Sequence, residues 1–180
     1  MDVILEYDPD DRVVTRRFPI SRAFEGNPNF LEKQTEKFDN GCESITFVPN
    51  PDHPEGGTFF IGNQWDQSVV VEVEAPLKSS GPQGGEARIV RVLPLDLDDP
   101  AAIYYDFDSG LLNVVSDADN ILVEVTLEGE LVNQYAFLGD NQEGLAKDED
   151  GYLYIAQDTG GILKVKDLRG RENAPKSTTD

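Results

Sequence analysis

The sequence predicts an all-β fold: a β-propeller of four-stranded antiparallel blades, of six-bladed type, with about three blades present. Three observations carry that reading. Three segments align on a glycine that opens an apolar strand: "GTFFIGNQWDQSVVVEV" from Gly57, "GLLNVVSDADNILVEV" from Gly110 and "GYLYIAQDTGGILKV" from Gly151. Each holds a β-rich run, a polar turn and a second β-rich run ending in Val73, Val125 or Val165. A shorter run precedes each glycine, at 43–48, 101–106 and 143–148, and in two copies another follows, at 87–93 and 130–138. The glycines lie 53 and 41 residues apart. Four-stranded units recurring every forty to fifty residues or so are the signature of a propeller. A β-sandwich shares the short strands and turns, but the regular period favours the propeller.

Taken in order, residues 3–18, "VILEYDPDDRVVTRRF", match the last two strands of a unit around an Asp/Pro turn, a half blade. Residues 29–38, "NFLEKQTEKF", predict one helix with Asn29 as N-cap, inside an insertion. A full blade spans 43–93; its loop "APLKSSGPQGGEA" (75–87) has the Gly, Pro and Ser content of a surface insertion and accounts for the longer spacing. A second full blade spans 101–138, and 143–166 forms a blade lacking its last strand. The partial propeller thus covers 1–168, and the polar end, 169–180, is expected to be disordered. The expected strand count is two, four, four and three.

At 180 residues and 38% apolar content the chain suits one folded domain. Fifteen Lys and Arg against 35 Asp and Glu give a formal charge of −20, which repels phosphate backbones and anionic membranes and attracts cations. Nucleic acid is therefore excluded as an expected partner. No apolar run approaches the eighteen or so residues of a membrane span, so no membrane insertion is expected. Met1 leads into "DVILEYDPDD" without a basic and then apolar leader, so no secretion signal is read here. Cys42 is the single cysteine and reads as a buried thiol; a nucleophile would want a neighbouring His, and the one histidine, His53, lies in the turn "PNPDHPEGG".

The stretch "DSGLLNVVSDADNILVEVTLEGELVNQYAFLGDNQEGLAKDEDGYLYIAQDTGGILKV" (108–165) resembles the SdiA-regulated family of bacterial six-bladed propellers. In that family a strand ending in "SD" is followed by an "L.E.DLDG" turn, an "EG" motif and "DG.LYI..E". The resemblance covers 100–166 closely and 43–74 more loosely. The "EG…DG.LYI" pattern is shared with propellers of the gluconolactonase and NHL-repeat kind. One departure is "AQD", Gln157 and Asp158, where the family tends to carry Glu. A six-bladed ring needs about twenty-four strands. Two copies of this chain, or blades from another chain, would supply the rest. The resemblance also implies an exported protein, extracellular or periplasmic.

In an antiparallel blade the start of the first strand and the end of the second lie at the same end. That places Glu43 and Glu143, which open first strands, beside Asn63, Asp117 and Asp158, which close second strands, at one mouth of the channel. Carboxylates and an amide without Cys or His form a hard, oxygen-only donor set suited to Ca²⁺, or to Mg²⁺ with more water retained. The resemblance points the same way, because a Glu opening an "EG" strand is similar to one that binds a channel calcium in related propellers. Trp65, in the "NQWDQ" turn at the same mouth, is a candidate to stack on a small-molecule ligand or to cover the blade edge. The opposite turns, "DFDSG" and "DEDG", read as ordinary Asp/Gly turns.

No "GxSxG", "HExxH" or phosphate-cradling Gly-rich loop occurs. "DADN" (117–120) opens like an EF-hand loop but lacks its glycine and its next ligand. Three functions remain open: a calcium-binding propeller module that also takes a small ligand, a metal-dependent lactonase- or phosphoesterase-like hydrolase with Asp117 or Asp158 as base, and a structural or protein-interaction segment. The balance leans away from an enzyme, because half a ring supplies fewer ligands than the lactonase-like propellers use.

Overall fold

The computed structural model describes residues 2–27, 30–31, 41–64, 68–136 and 141–166. Strands β1 (Val3–Asp8) and β2 (Val13–Pro19) pair across a turn in which Asp8 Oδ1 accepts from the backbone N–H groups of Asp10 and Asp11, at 2.9 and 3.1 Å. Strands β3 (Cys42–Pro49), β4 (Gly57–Asn63), β5 (Val69–Glu74) and β6 (Arg88–Val92) form a four-stranded antiparallel sheet in chain order, with β4 and β5 apolar on both faces. A second such sheet holds β7 (Pro100–Asp106), β8 (Leu111–Ser116), β9 (Ile121–Val125) and β10 (Leu131–Ala136). The last sheet has three strands, β11 (Gln142–Lys147), β12 (Leu153–Gln157) and β13 (Ile162–Val165). These are the up-and-down antiparallel sheets of propeller blades, and the described residues form a partial β-propeller. The turns are those the sequence marks: Gly110 sits at φ 72°, in the left-handed region that glycine enters without steric cost. The helix expected over 29–38 lies, apart from Phe30 and Leu31, outside the described residues.

Each sheet has a back face toward the sheet before it and a forward face toward the sheet after. Ile61, Val71 and Val73 look back onto Phe18 and Ile20 of the hairpin. Phe60 and Val70 look forward onto Leu112, Val114, Val123 and Val125. Val115, Leu122 and Ala102 in turn look forward onto Ile155. All but Ile20 are close to fully buried. Burying one such side chain contributes roughly 1.5–3 kcal/mol, so three apolar layers account for most of what holds the sheets together. At the contact between the four-stranded sheets the backbones come close: a Cβ on Gly62 would stand 2.4 Å from the Pro100 carbonyl. Ser44 Oγ donates to that same carbonyl at 3.0 Å, and Thr46 Oγ1 accepts from the Tyr105 N–H at 3.1 Å.

The 75–87 insertion is a tethered element as well as a surface loop. Its residues 84 and 87 bridge in parallel to Arg17 and Ile20, beside β2. Buried Glu55 holds its other end, accepting from the N–H groups of Lys78 and Ser79 at 2.5 and 3.1 Å. Arg16, itself paired with Glu6 at 2.5 Å, donates to the Leu77 carbonyl at 2.6 Å. The insertion thereby fastens the hairpin to the first four-stranded sheet.

Candidate functional site

The innermost strand of each complete or three-stranded sheet begins with a bulge. Register shifts between Cys42 and Ser44, between Pro100 and Ala102, and between Gln142 and Gly144. The extra residues are Glu43, Ala101 and Glu143, one per sheet at the same place. A bulge leaves its residue out of the ladder and re-aims its side chain, which is why bulges gather beside sites. The middle sheet carries Ala101, fully buried, where its neighbours carry acids.

A repeated hydrogen bond stitches the same end of each sheet. Gln64 N–H donates to the Gly41 carbonyl, Asp117 N–H to Asp99 and Asp158 N–H to Asn141, at 3.1, 3.1 and 2.9 Å. Asp99 and Asn141 hold positive φ, 53° and 54°, a left-handed conformation that Asp and Asn tolerate better than most residues. Asp99 N–H donates to Ser68 Oγ at 3.2 Å, and Asp117 Oδ1 accepts from Gln142 N–H at 2.8 Å. Side chains of one sheet therefore set the start of the next. Gln142, fully buried, donates from Nε2 to Asn120 Oδ1 at 3.0 Å, while its Oε1 has no protein partner.

These turns bring the expected acids into one another's field. Glu143 is exposed as a residue, yet its carboxyl is pushed above the usual glutamate range, first by partial removal from water and then by Asp158, Asp117, Asp99 and Glu43. The four neighbours come from all three inner sheets. Asp99 was not among the residues the sequence singled out, and it has a buried Oδ1 with no protein partner. Its signal was weak: a loop acid preceding Pro100 reads as turn chemistry. Asn63 pairs across the ladder with Cys42, is buried, and donates from Nδ2 to the Gln64 carbonyl at 3.4 Å. Trp65 lies outside the described residues. Among the described residues no three carboxylate, His or Cys groups stand close enough to grip one ion. The donor set is oxygen-only, and an ion held by one or two of these oxygens would keep part of its water shell.

Nucleophile chemistry finds no support at Cys42: burial, then nearby Asp2, pushes its thiol up to about 12, far from a thiolate at neutral pH. His53 sits apart, with Nδ1 accepting from Glu55 N–H at 3.2 Å and Nε2 3.6 Å from Glu74.

The opposite end of the sheets is built differently. "DFDSG" is more than a turn: Lys147, at the end of β11, donates to Asp106 at 2.8 and 2.9 Å and to Asp108 at 3.3 Å. Burial pushes the Asp106 carboxyl up, and the Lys147 ammonium with the Asp108 N–H outweighs it, leaving the group below the usual range. Sequence reading passed over Lys147 because the pair joins residues 41 positions apart on different sheets.

A family model described as SdiA-regulated matches residues 28–160. No curated protein matches the chain. Among solved structures, the chain is similar to Chaetomium thermophilum Polycomb Repressive Complex 2 bound to GSK126, with 16% identity over 71% of this chain and 29% of that one and a TM-score of 0.46. It is also similar to a protein of unknown function from Bacteroides caccae, with 14% identity over 95% of this chain and 67% of that one and a TM-score of 0.46. The chain spans under a third of the first structure's length and about two thirds of the second's. With the family model running through both four-stranded sheets and into the three-stranded one, the chain belongs to the SdiA-regulated family.

Proposed function

We propose that this propeller module binds a divalent cation, calcium first, at the mouth where Glu143 meets Asp158, Asp117, Asp99 and Glu43. One observation carries the reading: carboxylates from three sheets act on one another at this mouth, and Glu143 is harder to ionise, first through partial removal from water and then through the other four. Like charges at one mouth disfavour the folded chain unless something neutralises them, and a bound cation inverts that local balance. The bulge takes Glu143 out of the backbone ladder, and the buried Asp99 Oδ1 has no protein hydrogen-bond donor. Bound there, the ion would supply positive charge and coordination positions for the oxygens of a small ligand. An exported protein would meet calcium at the concentrations that weak, oxygen-only modules need.

The test is thermal unfolding of the chain in EDTA and then in CaCl₂. A ligand that binds only the folded state raises the midpoint with its concentration. The expected result is a calcium-dependent rise that Glu143→Gln abolishes. An unchanged midpoint in the unsubstituted chain would overturn the proposal.

A further inference from the structure

We propose that the wedge between the two four-stranded sheets binds a small uncharged molecule with an apolar body of ring size and one hydrogen-bonding group. A cavity lies on the back face of the second sheet, under the connector that leaves β6 and enters β7. Its floor is Ile121, Val123 and Val125 of β9 with Leu131 and Gln134 of β10, its wall is Leu95 and Leu97 of the connector, and its volume is about 440 Å³. Small-molecule pockets span roughly 300–1,000 Å³, so the size suits such a ligand. Floor and wall belong to a complete four-stranded sheet and to the segment joining it to the other.

The chain also shows this wedge filled. Aligned by their ladders, Val69, Val71, Val73, Ile89 and Val92 of the first four-stranded sheet hold the positions of Ile121, Val123, Val125, Leu131 and Gln134 in the second. In the first sheet that face clusters with Phe24, Phe30 and Leu31 from the preceding connector, the two rings 5.3 Å apart. Ile89 is 7% exposed there, whereas its counterpart Leu131 is 60% exposed. The connector of the second wedge is shorter and brings leucines in place of rings, which leaves the cavity. What the second wedge lacks is aromatic bulk.

The wall is fixed from both sides. Leu93 N–H donates to the Val70 carbonyl and Leu95 N–H to the Leu93 carbonyl, each at 2.9 Å, which ties the connector to the first sheet. On the other side the β9–β10 turn closes on Pro94, where a Cβ on Gly129 would stand 2.7 Å from the proline ring. The one polar difference between the two faces is Gln134, standing where the filled wedge has Val92. An amide both donates and accepts, so Gln134 can meet a ligand hydroxyl, N–H or carbonyl. Among the described residues no Lys or Arg lines the cavity, and its one charged group, Asp96, is exposed at the rim. An anion would meet a carboxylate and no cation, and an ammonium group would leave water for an aliphatic floor. An uncharged ligand faces neither cost.

The test is a fluorescence titration with N-phenylnaphthylamine, an uncharged aromatic probe that brightens in apolar surroundings. It is run in EDTA, so that the outcome is independent of any cation at the mouth. Saturable binding of one probe per chain is expected. Anilinonaphthalene sulfonate has the same rings with a negative charge added, and is expected to bind roughly tenfold more weakly. Leu131→Trp starts from an exposed position and carries a ring system into the cavity, so it should abolish the signal. Gln134→Val copies the filled wedge and should weaken binding about threefold, through one lost hydrogen bond. Ile162→Ser, at an exposed apolar position on another sheet, should leave binding unchanged, and circular dichroism confirms folded variants. No saturable binding, equal binding of the sulfonate, a signal that survives Leu131→Trp or one lost in Ile162→Ser would overturn the proposal. Unweakened binding by Gln134→Val would overturn its polar end.

Discussion

The two ends of the inner strands carry similar residues and put them to opposite use. At the mouth, partial removal from water and then Asp158, Asp117, Asp99 and Glu43 raise the Glu143 carboxyl. At the far end, Asp106 and Asp108 share Lys147, and Asp106 is held below its usual range. One lysine makes the difference. A cation within hydrogen-bond distance favours the charged carboxylate, whereas neighbouring acids disfavour it. The far end holds a structural clasp between β7 and β11, and the mouth is where a carboxyl is raised rather than lowered.

The largest expected effect comes from breaking the clasp. Lys147→Met leaves Asp106 charged and mostly buried, and should cost about 3 kcal/mol in urea unfolding, near the low end for a buried pair because both groups keep some water. Adding Asp106→Asn should recover much of that loss, whereas a fully additive double variant would mean that the pair is uncoupled.

A smaller loss is expected at the mouth-side contact between sheets. Gly62→Ala drives a Cβ against the Pro100 carbonyl and should cost about 1–3 kcal/mol, as overpacking does. A neutral result would show that the two four-stranded sheets separate more easily there than the Ser44 hydrogen bond implies.

The pH response should carry opposite signs at the two ends. The Glu143 carboxyl is raised, so its favourable contribution is complete below its unfolded value near 4.5 and fades as pH rises through the folded value. The Asp106 carboxyl is lowered, so its contribution is present above the unfolded value near 3.8 and is lost as pH falls through the folded one. Acidification from neutrality should therefore relieve the mouth before it weakens the clasp. Differences in midpoint between the chain and each variant, measured against pH, separate the two.

The smallest effect is also the sharpest for the comparison. In EDTA at neutral pH, Glu143→Gln should raise the midpoint slightly, because it removes a charge from a crowded but solvent-screened mouth. In calcium the same substitution should lower it relative to the unsubstituted chain. If the sign did not change between the two conditions, the mouth would be no more a cation site than any other acidic surface.

Much of this molecule was written locally. The glycine-anchored alternation from Gly57, Gly110 and Gly151 determined strands, turns and four-stranded sheets, because period-two patterning and turn residues act over a few positions. Antiparallel pairing alone put Glu43, Asp117, Glu143 and Asp158 each at the corresponding end of its own sheet. What the sequence left open were relations between sheets. Whether Asp99 joins the mouth depends on how the middle sheet starts against its neighbours, with Asp117 and Ser68 holding its backbone. Whether Asp106 is a turn residue or half of an ion pair depends on Lys147 reaching it from the next sheet. Ile162 and Val70 read alike in sequence, one on an open face and one in a core. Hydrophobic pattern states which side of a strand avoids water, but only packing decides what covers it, since the burial that supplies the energy is shared between surfaces far apart in the chain.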